Sequence, residues 1–525
     1  MNLIEKLKGV IRKMIGPKTL ENVLHITPTI SSAMKNAIEL WEDMYMDKSP
    51  WLNENVKSLG LPALIASEKA RTATIEMDVK ITGESERAKF IKEQFNKVID
   101  SIRTNLEIGI ALGGIVIKPY VTLGPDGKYT MEFNYTKASD FYPLSFSPEG
   151  VVTEAAFVDK LITKDFTYSK LEYHKLEGNM LTVNNMAFKL SNKNVNISGI
   201  SNVNELGEPI PLTTISAWAN IAPSVAIDGV DTMLFAYFRM PQANNVDLDS
   251  PLGVSGFSRA VDLIRDADMQ YSNLLWEFEG GQLAIDVDRT ALNPVIGSNG
   301  THYEVLPKLQ DRLYRRSLDL GDDNAYNVFS PQLRDSNIIN GLNNILMHIE
   351  DVCDLSRGTI STVSYSEART ATELRILKQR SFAANCDVQK ELENTFEELI
   401  SIIDKYCDLY DIVPSGDYEV AYKWDDSIIV DKDTERQVDL MDLNAGLLSK
   451  VEYRMKWMGE TEVQAQEALK RIDEEKMSAL KLTQTVMQPN EDNGSETSDA
   501  QATQNKLNRA NESNETTETS SASKY

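Results

Sequence analysis

The sequence predicts an α+β fold, and three observations carry that prediction. Between residues 115 and 218, short runs alternate apolar and polar side chains and are separated by polar turns, the pattern of half-buried strands. From 370 to 411 apolar residues recur every three or four positions, the period of one buried helical stripe. Between these regions, two helical patterns at 255–279 and 337–353 enclose an insert of about 55 residues that carries strand-like runs. A chain of 525 residues has room for two to four such domains.

Taken in order, MNLIEKLKGVIRKMIGPK reads as an amphipathic helix. Leu3, Leu7, Val10, Ile11 and Met14 share one side, with Lys6, Arg12 and Lys13 elsewhere. Docking on a neighbouring protein surface is the expectation for it. Charges every two or three residues deny it the apolar core of a signal peptide. No run of 18 apolar residues exists, so no transmembrane helix is expected. Helical spacing follows at 29–45, through Ala33, Met34, Ala37, Ile38, Trp41 and Tyr45. A second helix follows Pro62, because proline suits the first helical turn. A third covers about 85–112, with Phe90, Ile91, Phe95, Val98, Ile102 and Leu106 in register, and Gly113 and Gly114 end it. A strand then starts at Ile115, and Gly124-Pro125-Asp126-Gly127 is a turn. Short strands such as 155–162 and 168–176 fill the rest, so 1–245 reads as one α+β domain, with 244–251 as a linker.

The helix at 255–279 places Ala260, Leu263, Ile264, Ala267, Tyr271, Leu274, Leu275 and Phe278 on one face, with Ser255 as its N-cap. Gly280 and Gly281 stop it, and strands are expected near 283–287, 303–306 and 326–329. After the helix at 337–353 comes a polar segment, SRGTISTVSYS (356–366). Thr370 and Glu373 then form a capping box that opens a very long helix. Its stripe runs through Val388, Leu392, Phe396, Leu399, Ile403, Tyr406 and Tyr410. About 40 residues at 1.5 Å each span roughly 60 Å, far longer than most globular helices. Such a helix suits a spine in a large assembly. Tyr418, Val420, Tyr422 and Trp424 alternate with polar or small residues as a half-buried strand. Three further helices are expected to start at Thr434, Ser449 and Thr461, each with Glu or Gln three residues on. Residues 488–525 lack large apolar side chains and are expected to be disordered.

Chemistry-bearing constellations are sparse. The four histidines (His25, His174, His302, His348) are scattered, so no zinc site is expected. Gly109–Gly114 lacks the Gly-Lys-Ser/Thr ending of a phosphate-cradling loop and reads as a tight helix-to-strand junction. Cys353, Cys386 and Cys407 include no CxxC pair and fit buried thiols in a reducing compartment. The acidic pairs Asp247/Asp249, Asp286/Asp288, Asp322/Asp323 and Asp425/Asp426 are the places where Mg²⁺ would sit in a nuclease or phosphodiesterase. Each lies where Asp is common for turn reasons. The formal charge of −25 excludes whole-surface nucleic-acid binding but suits a wall past which DNA slides. Two basic reversals stand out: Arg357, Arg369, Arg375, Lys378 and Arg380, and within the insert Lys308, Arg312, Arg315 and Arg316.

The order of these parts resembles the portal proteins of tailed bacteriophages, in the branch found in phages of Gram-positive hosts. The stretches that carry the likeness are LGGIVIKPYV (112–121), SPLGVSGFSRAVDLIRDADMQYSNLLWEFEGG (250–281), RTATELRILKQ (369–379) and 422–469, which opens YKWDDSIIVDKD. The resemblance implies a wing at 1–245 completed by 412–431, stem helices at 250–281 and 337–355, and a clip at 282–336. It further implies a tunnel loop at 356–369, a spine helix at 370–411, a helical crown at 432–487 and a disordered tail at 488–525. A ring of typically twelve subunits at one capsid vertex would pass double-stranded DNA during packaging and ejection. The terminase packaging motor and then a head–tail adaptor would dock on it, with major capsid and scaffolding proteins around it. It would be a virion component assembled in the host bacterial cytoplasm, with no membrane, cofactor, metal or enzymatic role. Arg357, Thr359, Ser361, Thr362, Ser364, Glu367 and Arg369 would line the channel. Lys308, Arg312, Arg315 and Arg316 would meet docking partners. The alternatives are the metal-dependent nuclease and another virion or tail structural protein.

Overall fold

A computed structural model describes residues 14–26, 29–124, 127–147, 150–192, 206–282, 284–288, 293–296, 302–305, 314–317, 326–329, 331–362, 371–424, 432–458, 464–474 and 477. The chain divides into two compact units, 1–429 and 430–525.

The first unit is built around α4 (Glu86–Leu112), which follows α1 (Pro17–Leu24), α2 (Ser32–Tyr45), α3 (Leu61–Thr74) and β1 (Met77–Thr82). Ser31 and Ser85 cap α2 and α4, each accepting the N–H three residues on, from Met34 and Ala88. Ile91, Phe95, Val98, Ile102 and Leu106 of α4 are buried, as their spacing predicted, while Phe90 of the same predicted stripe is half-buried. Gly113 ends the helix at φ +92°, and a Cβ there would lie 2.4 Å from the Gly253 carbonyl, so glycine alone fits this crossing. The predicted helix-to-strand junction is therefore real, with β2 (Gly114–Leu123) starting at once. β2 lies between β3 (Tyr129–Lys137) and β10 (Ala236–Arg239). A second sheet runs β4 (Phe141–Phe146), β5 (Val152–Ile162), β6 (Phe166–Glu177), β7 (Met180–Ser191) and β8 (Glu208–Ile210), with β9 (Ser224–Asp228) also on β7.

Met14 and Ile15 are buried in this unit, their N–H groups donating to Glu39 Oε1 at 3.0 Å and to the Tyr142 hydroxyl at 2.7 Å. The described end of the predicted amphipathic segment thus packs on its own chain; residues 1–13 lie outside the described residues. Residues 244–251 are not a loose linker. Asn244 is buried, its Oδ1 accepts the N–H groups of Val246 and Asp247, and its Nδ2 donates to the Leu252 carbonyl. An Asn side chain that replaces backbone partners makes a fixed turn. Asp247 belongs to the same turn, its Oδ1 accepting from the Asp249 N–H.

Helix α5 (Val261–Gly280) starts six residues later than its pattern predicted. The Gly256 N–H donates to the Ile110 carbonyl, which pins 253–256 against the end of α4 and leaves Ser255 bonded to Phe257 instead of capping the helix. Between α5 and α6 (Asp335–Val352) lie β11 (Ala284–Asp288), β12 (Asn293–Ile296), β13 (His302–Val305), β14 (Tyr314–Ser317) and β15 (Tyr326–Phe329). They form a sheet in the order β14-β11-β15 and a β12-β13 hairpin. β12 and β14 were not foreseen; Pro294 in one and the paired Arg315 and Arg316 in the other obscure a strand pattern in so short a run. At the far ends of α5 and α6, the Glu277 carboxylate takes three hydrogen bonds from Arg334, from its backbone N–H, Nε and Nη2. This fixes the two helices as a hairpin.

Helix α7 (Ala371–Leu409) runs for 39 residues. Val388, Leu392, Phe396, Leu399 and Ile403 are buried, while Tyr410, beyond the helix end, is 49% exposed. Each fully buried Leu, Ile or Phe stabilises the fold by about 1.5–3 kcal/mol. Phe95 and Phe396 meet edge to face with centroids 5.1 Å apart, joining α4 to α7. β16 (Glu419–Trp424) then pairs antiparallel with β1, and Trp424 Nε1 donates to Glu393 on α7. Chain segments about 340 residues apart thereby close one unit.

Arg87 holds the end of α7. Its guanidinium is buried, and all five N–H groups donate: Nε to the Pro414 carbonyl, Nη1 to the Asp404 carbonyl and Oδ1, Nη2 to Asp408 Oδ1 and the Val413 carbonyl. A cation here also complements the carbonyl end of the helix dipole.

In the second unit, α8 (Lys432–Ala445) and α9 (Lys450–Met458) are followed by a helix at 464–474. The predicted capping box at Ser449 forms, with Ser449 N–H donating to Glu452 Oε2 and Glu452 N–H to Ser449 Oγ. Thr434 does not start a helix, since α8 begins at Lys432. Thr461 and the tail 488–525 lie outside the described residues.

Two outcomes follow. Arg87→Met orphans five acceptor contacts and should lower unfolding free energy by about 3 kcal/mol in urea titrations. Glu172 sits on β6 among Lys118, Lys170 and His174, accepting from each. Burial opposes its charge, but the His174 hydrogen bond and the three neighbours hold its carboxyl well below the usual 4.5. A lowered native pKa adds stability that is present above the unfolded value and lost as pH falls through the native one. Glu172→Gln should therefore be less stable than the wild type near pH 7, with the gap shrinking as pH falls below 4.5.

Candidate channel loop

The segment after α6 was expected to be a polar loop; its described half, 356–362, is tightly built. Cys353 ends the helix, and Asp354 takes the left-handed conformation usual for glycine, at φ +55°. The Leu355 N–H donates back to the Glu350 carbonyl, closing a Schellman-type cap. Residues 356–359 form a turn with Gly358 at φ +87°, and both the N–H and the hydroxyl of Thr359 donate to the Ser356 carbonyl.

Glu350 organises the rest. It is fully buried in the last turn of α6. Its Oε1 accepts the N–H groups of Gly358 at 3.1 Å, Ile360 at 2.7 Å and Ser361 at 2.8 Å, and its Oε2 accepts the Ser361 hydroxyl at 2.7 Å. Hydrogen bonds to a carboxylate are roughly twice as strong as neutral ones. Further out, Asn343 closes a reciprocal pair, accepting the Thr362 N–H at 2.7 Å and donating to the Thr362 carbonyl at 2.9 Å.

The residues singled out from the sequence are therefore not equivalent. Thr359 and Thr362 are exposed. Ser361 is 8% exposed and its hydroxyl is used inside the subunit. Arg357 makes a two-point ion pair with Asp351, at 3.0 and 2.5 Å, which neutralises it locally. Arg380 pairs with Asp354 at 2.8 Å. Ser364, Glu367 and Arg369 lie outside the described residues, as does Thr370 of the expected capping box; α7 begins at the next residue. Arg315 and Arg316 are on β14, where Arg315 is in register with Asp286 of β11. Lys308, Arg312 and the pairs Asp322/Asp323 and Asp425/Asp426 lie outside the described residues. Among the described residues no group of three or more His, Cys, Asp or Glu side chains could hold a metal ion, and no helix is long and apolar enough to cross a membrane. The three cysteines are free, with Cys353 and Cys407 buried.

Sequence reasoning missed Glu350, Asn343 and Asp351. One signal was present: Glu350 falls on the apolar stripe of α6, beside buried Leu342, Ile349 and Cys353. An acid in such a stripe needs donors, and the following Gly-Thr-Ile-Ser backbone supplies them.

Glu350→Ala strands the amide groups of Gly358, Ile360 and Ser361 and should speed their exchange. In deuterium-exchange mass spectrometry, peptides containing Ile360 and Ser361 should exchange roughly 10- to 100-fold faster than in the wild type, as expected for a loss of about 1–3 kcal/mol.

No curated protein matches this chain. The family model described as phage portal protein, SPP1 Gp6-like, matches residues 33–481, which takes in the α+β region, the helix hairpin, the loop and α7 together. With most of its length matched in this order, the chain belongs to the phage portal protein family of the SPP1 Gp6-like kind.

Proposed function

We propose that copies of this chain, twelve in number, close into a ring at one capsid vertex and that residues 356–369 of each face the DNA in its channel. The portal role itself follows from the family, as does a structural rather than enzymatic task. The observation that carries the finer reading is the loop's construction. It hangs between α6 and the 39-residue α7, is locked at its base by Glu350, and presents Thr359 and Thr362 to solvent. The Thr362 hydroxyl, held on a rigid base, offers a weak contact that moving phosphates can exchange, while the Thr359 hydroxyl is already donated to the Ser356 carbonyl. Arg357, already paired with Asp351, adds little grip. DNA that slides needs low, uniform friction, and strong phosphate binding would defeat that.

The helix hairpin supports the ring. Leu275, Trp276 and Phe278 on α5 are 40%, 66% and 42% exposed, and Ile339 on α6 is 45% exposed. Large apolar side chains left exposed in one subunit are ones that a neighbouring copy would cover. In the same reading, 1–245 with 412–431 is the wing, 250–281 and 337–355 the stem, 370–411 the spine and 432–487 the crown. Residues 282–336 form the clip, where the terminase motor and later the head–tail adaptor dock, Lys308, Arg312, Arg315 and Arg316 contributing. Capsid and scaffolding proteins contact the ring from the shell.

Thr362→Lys tests the channel assignment, since it sets one added cation per subunit beside the passing duplex. Rings should assemble normally, while the yield of DNA-filled capsids should fall about tenfold at low salt and recover in part as salt rises. Unchanged packaging at every salt concentration would remove the loop from the channel. Failure of rings to form would make it an assembly element instead.

A further inference from the structure

The turn after α6 sets one cation against one carboxylate. Arg357 donates through Nε and Nη2 to the two oxygens of Asp351, at 3.0 and 2.5 Å. The backbone holds both ends of this pair. Asp351 lies in the last turn of α6, next to buried Glu350. Arg357 lies in the 356–359 turn, and the N–H of its neighbour Gly358 is bonded to Glu350 Oε1. Pairs between exposed side chains usually contribute little, because each partner must be ordered to meet the other. Here the turn and the helix supply that order, and the two-point fork fixes the geometry. The two side chains are 32% and 39% exposed, so the pair lies at the surface but the arginine is engaged. A second pair nearby is built more loosely: Arg380 on α7 is 63% exposed and makes one contact, from Nε to Asp354 Oδ1 at 2.8 Å.

Arg357 is the only base in 356–362. One uncancelled guanidinium per subunit, repeated around an assembly, would gather phosphates and hold them by counterion release. Pairing with Asp351 cancels the charge and occupies the face of the fork that matches a phosphate. We infer that Asp351 is a positioning residue for DNA passage, which withholds Arg357 from backbone phosphates so that the loop passes the duplex without gripping it. It acts through Arg357 and does not itself touch DNA. The consequence is asymmetric: removing the base changes little, whereas removing the acid creates a DNA site. The inference rests on the proposed channel only for where the duplex runs; the masking of Arg357 does not depend on it.

The test is DNA binding by the purified full-length assembly across a salt series. The probe is one duplex in two forms, linear and covalently closed circular, since a closed circle cannot thread a closed ring. Arg357→Gln should bind linear duplex as weakly as the wild type. Asp351→Asn should bind it about tenfold more tightly at low salt, and its affinity should fall more steeply as salt rises. The double variant Asp351→Asn/Arg357→Gln should return to the wild-type level. Deuterium exchange at Ile360 and Ser361 should match the wild type in all three, because Glu350 holds those amides. An equal gain on closed circles would support the masking and place the loop outside the channel, against the proposed function alone. Unchanged DNA affinity in Asp351→Asn, or a gain that survives in the double variant, would overturn the inference and leave the ion pair a structural brace of the turn.

Discussion

One buried carboxylate sets the shape of the segment that follows α6. Glu350 sits where α6 would otherwise bury a hydrocarbon side chain, and an ionised group there is tolerable only if its oxygens are fully satisfied. The three backbone N–H groups and the hydroxyl of the following loop satisfy them. The dependence runs both ways. Among the described residues, 356–362 have no regular secondary structure and few apolar anchors, so without the carboxylate their amides would need water. With it, a glycine- and hydroxyl-rich segment that composition marks as pliable becomes a fixed platform at its near end.

Around this platform the fold works as a frame. Arg87 holds the far end of α7 by five hydrogen bonds, β16 returns to pair with β1, and Glu277 with Arg334 fixes the distal end of the α5/α6 hairpin. Each device ties segments distant in sequence. On the hairpin, Leu275, Trp276, Phe278 and Ile339 remain exposed in the single chain. The excess of acids over bases suits the same design, since a wall that attracted phosphates would stall a moving duplex.

Much of this was legible in the sequence, and the reasons are particular. Long periodic elements were readable: α4 and α7 each repeat an apolar stripe over many turns, and Ser85 and Ser449 announce helix starts by capping chemistry. The strand at 419–424 showed clean alternation, although its partner β1 could not be read from spacing. Departures occurred where a distant contact overrode a local signal. Ser255 looked like an N-cap until Gly253 and Gly256 were seen to be pinned by α4, and 244–251 looked like a linker until Asn244 proved to be its organiser. In the loop, residue types identified a polar segment but not which hydroxyls face outward. Ser361 and Thr362 are adjacent and chemically alike, yet one is buried on Glu350 and the other exposed, a difference that only the position of α6 decides.

The central claim is that the segment locked by Glu350 at its base faces the axis of a closed ring of these subunits. A density map of the purified assembly tests it most directly. The account predicts a central hole with Thr359 and Thr362 of every copy at its narrowest rim and the hairpin faces of neighbouring copies in contact. A map that buried residues 356–362 between subunits, or set them on the outer edge away from the axis, would contradict it.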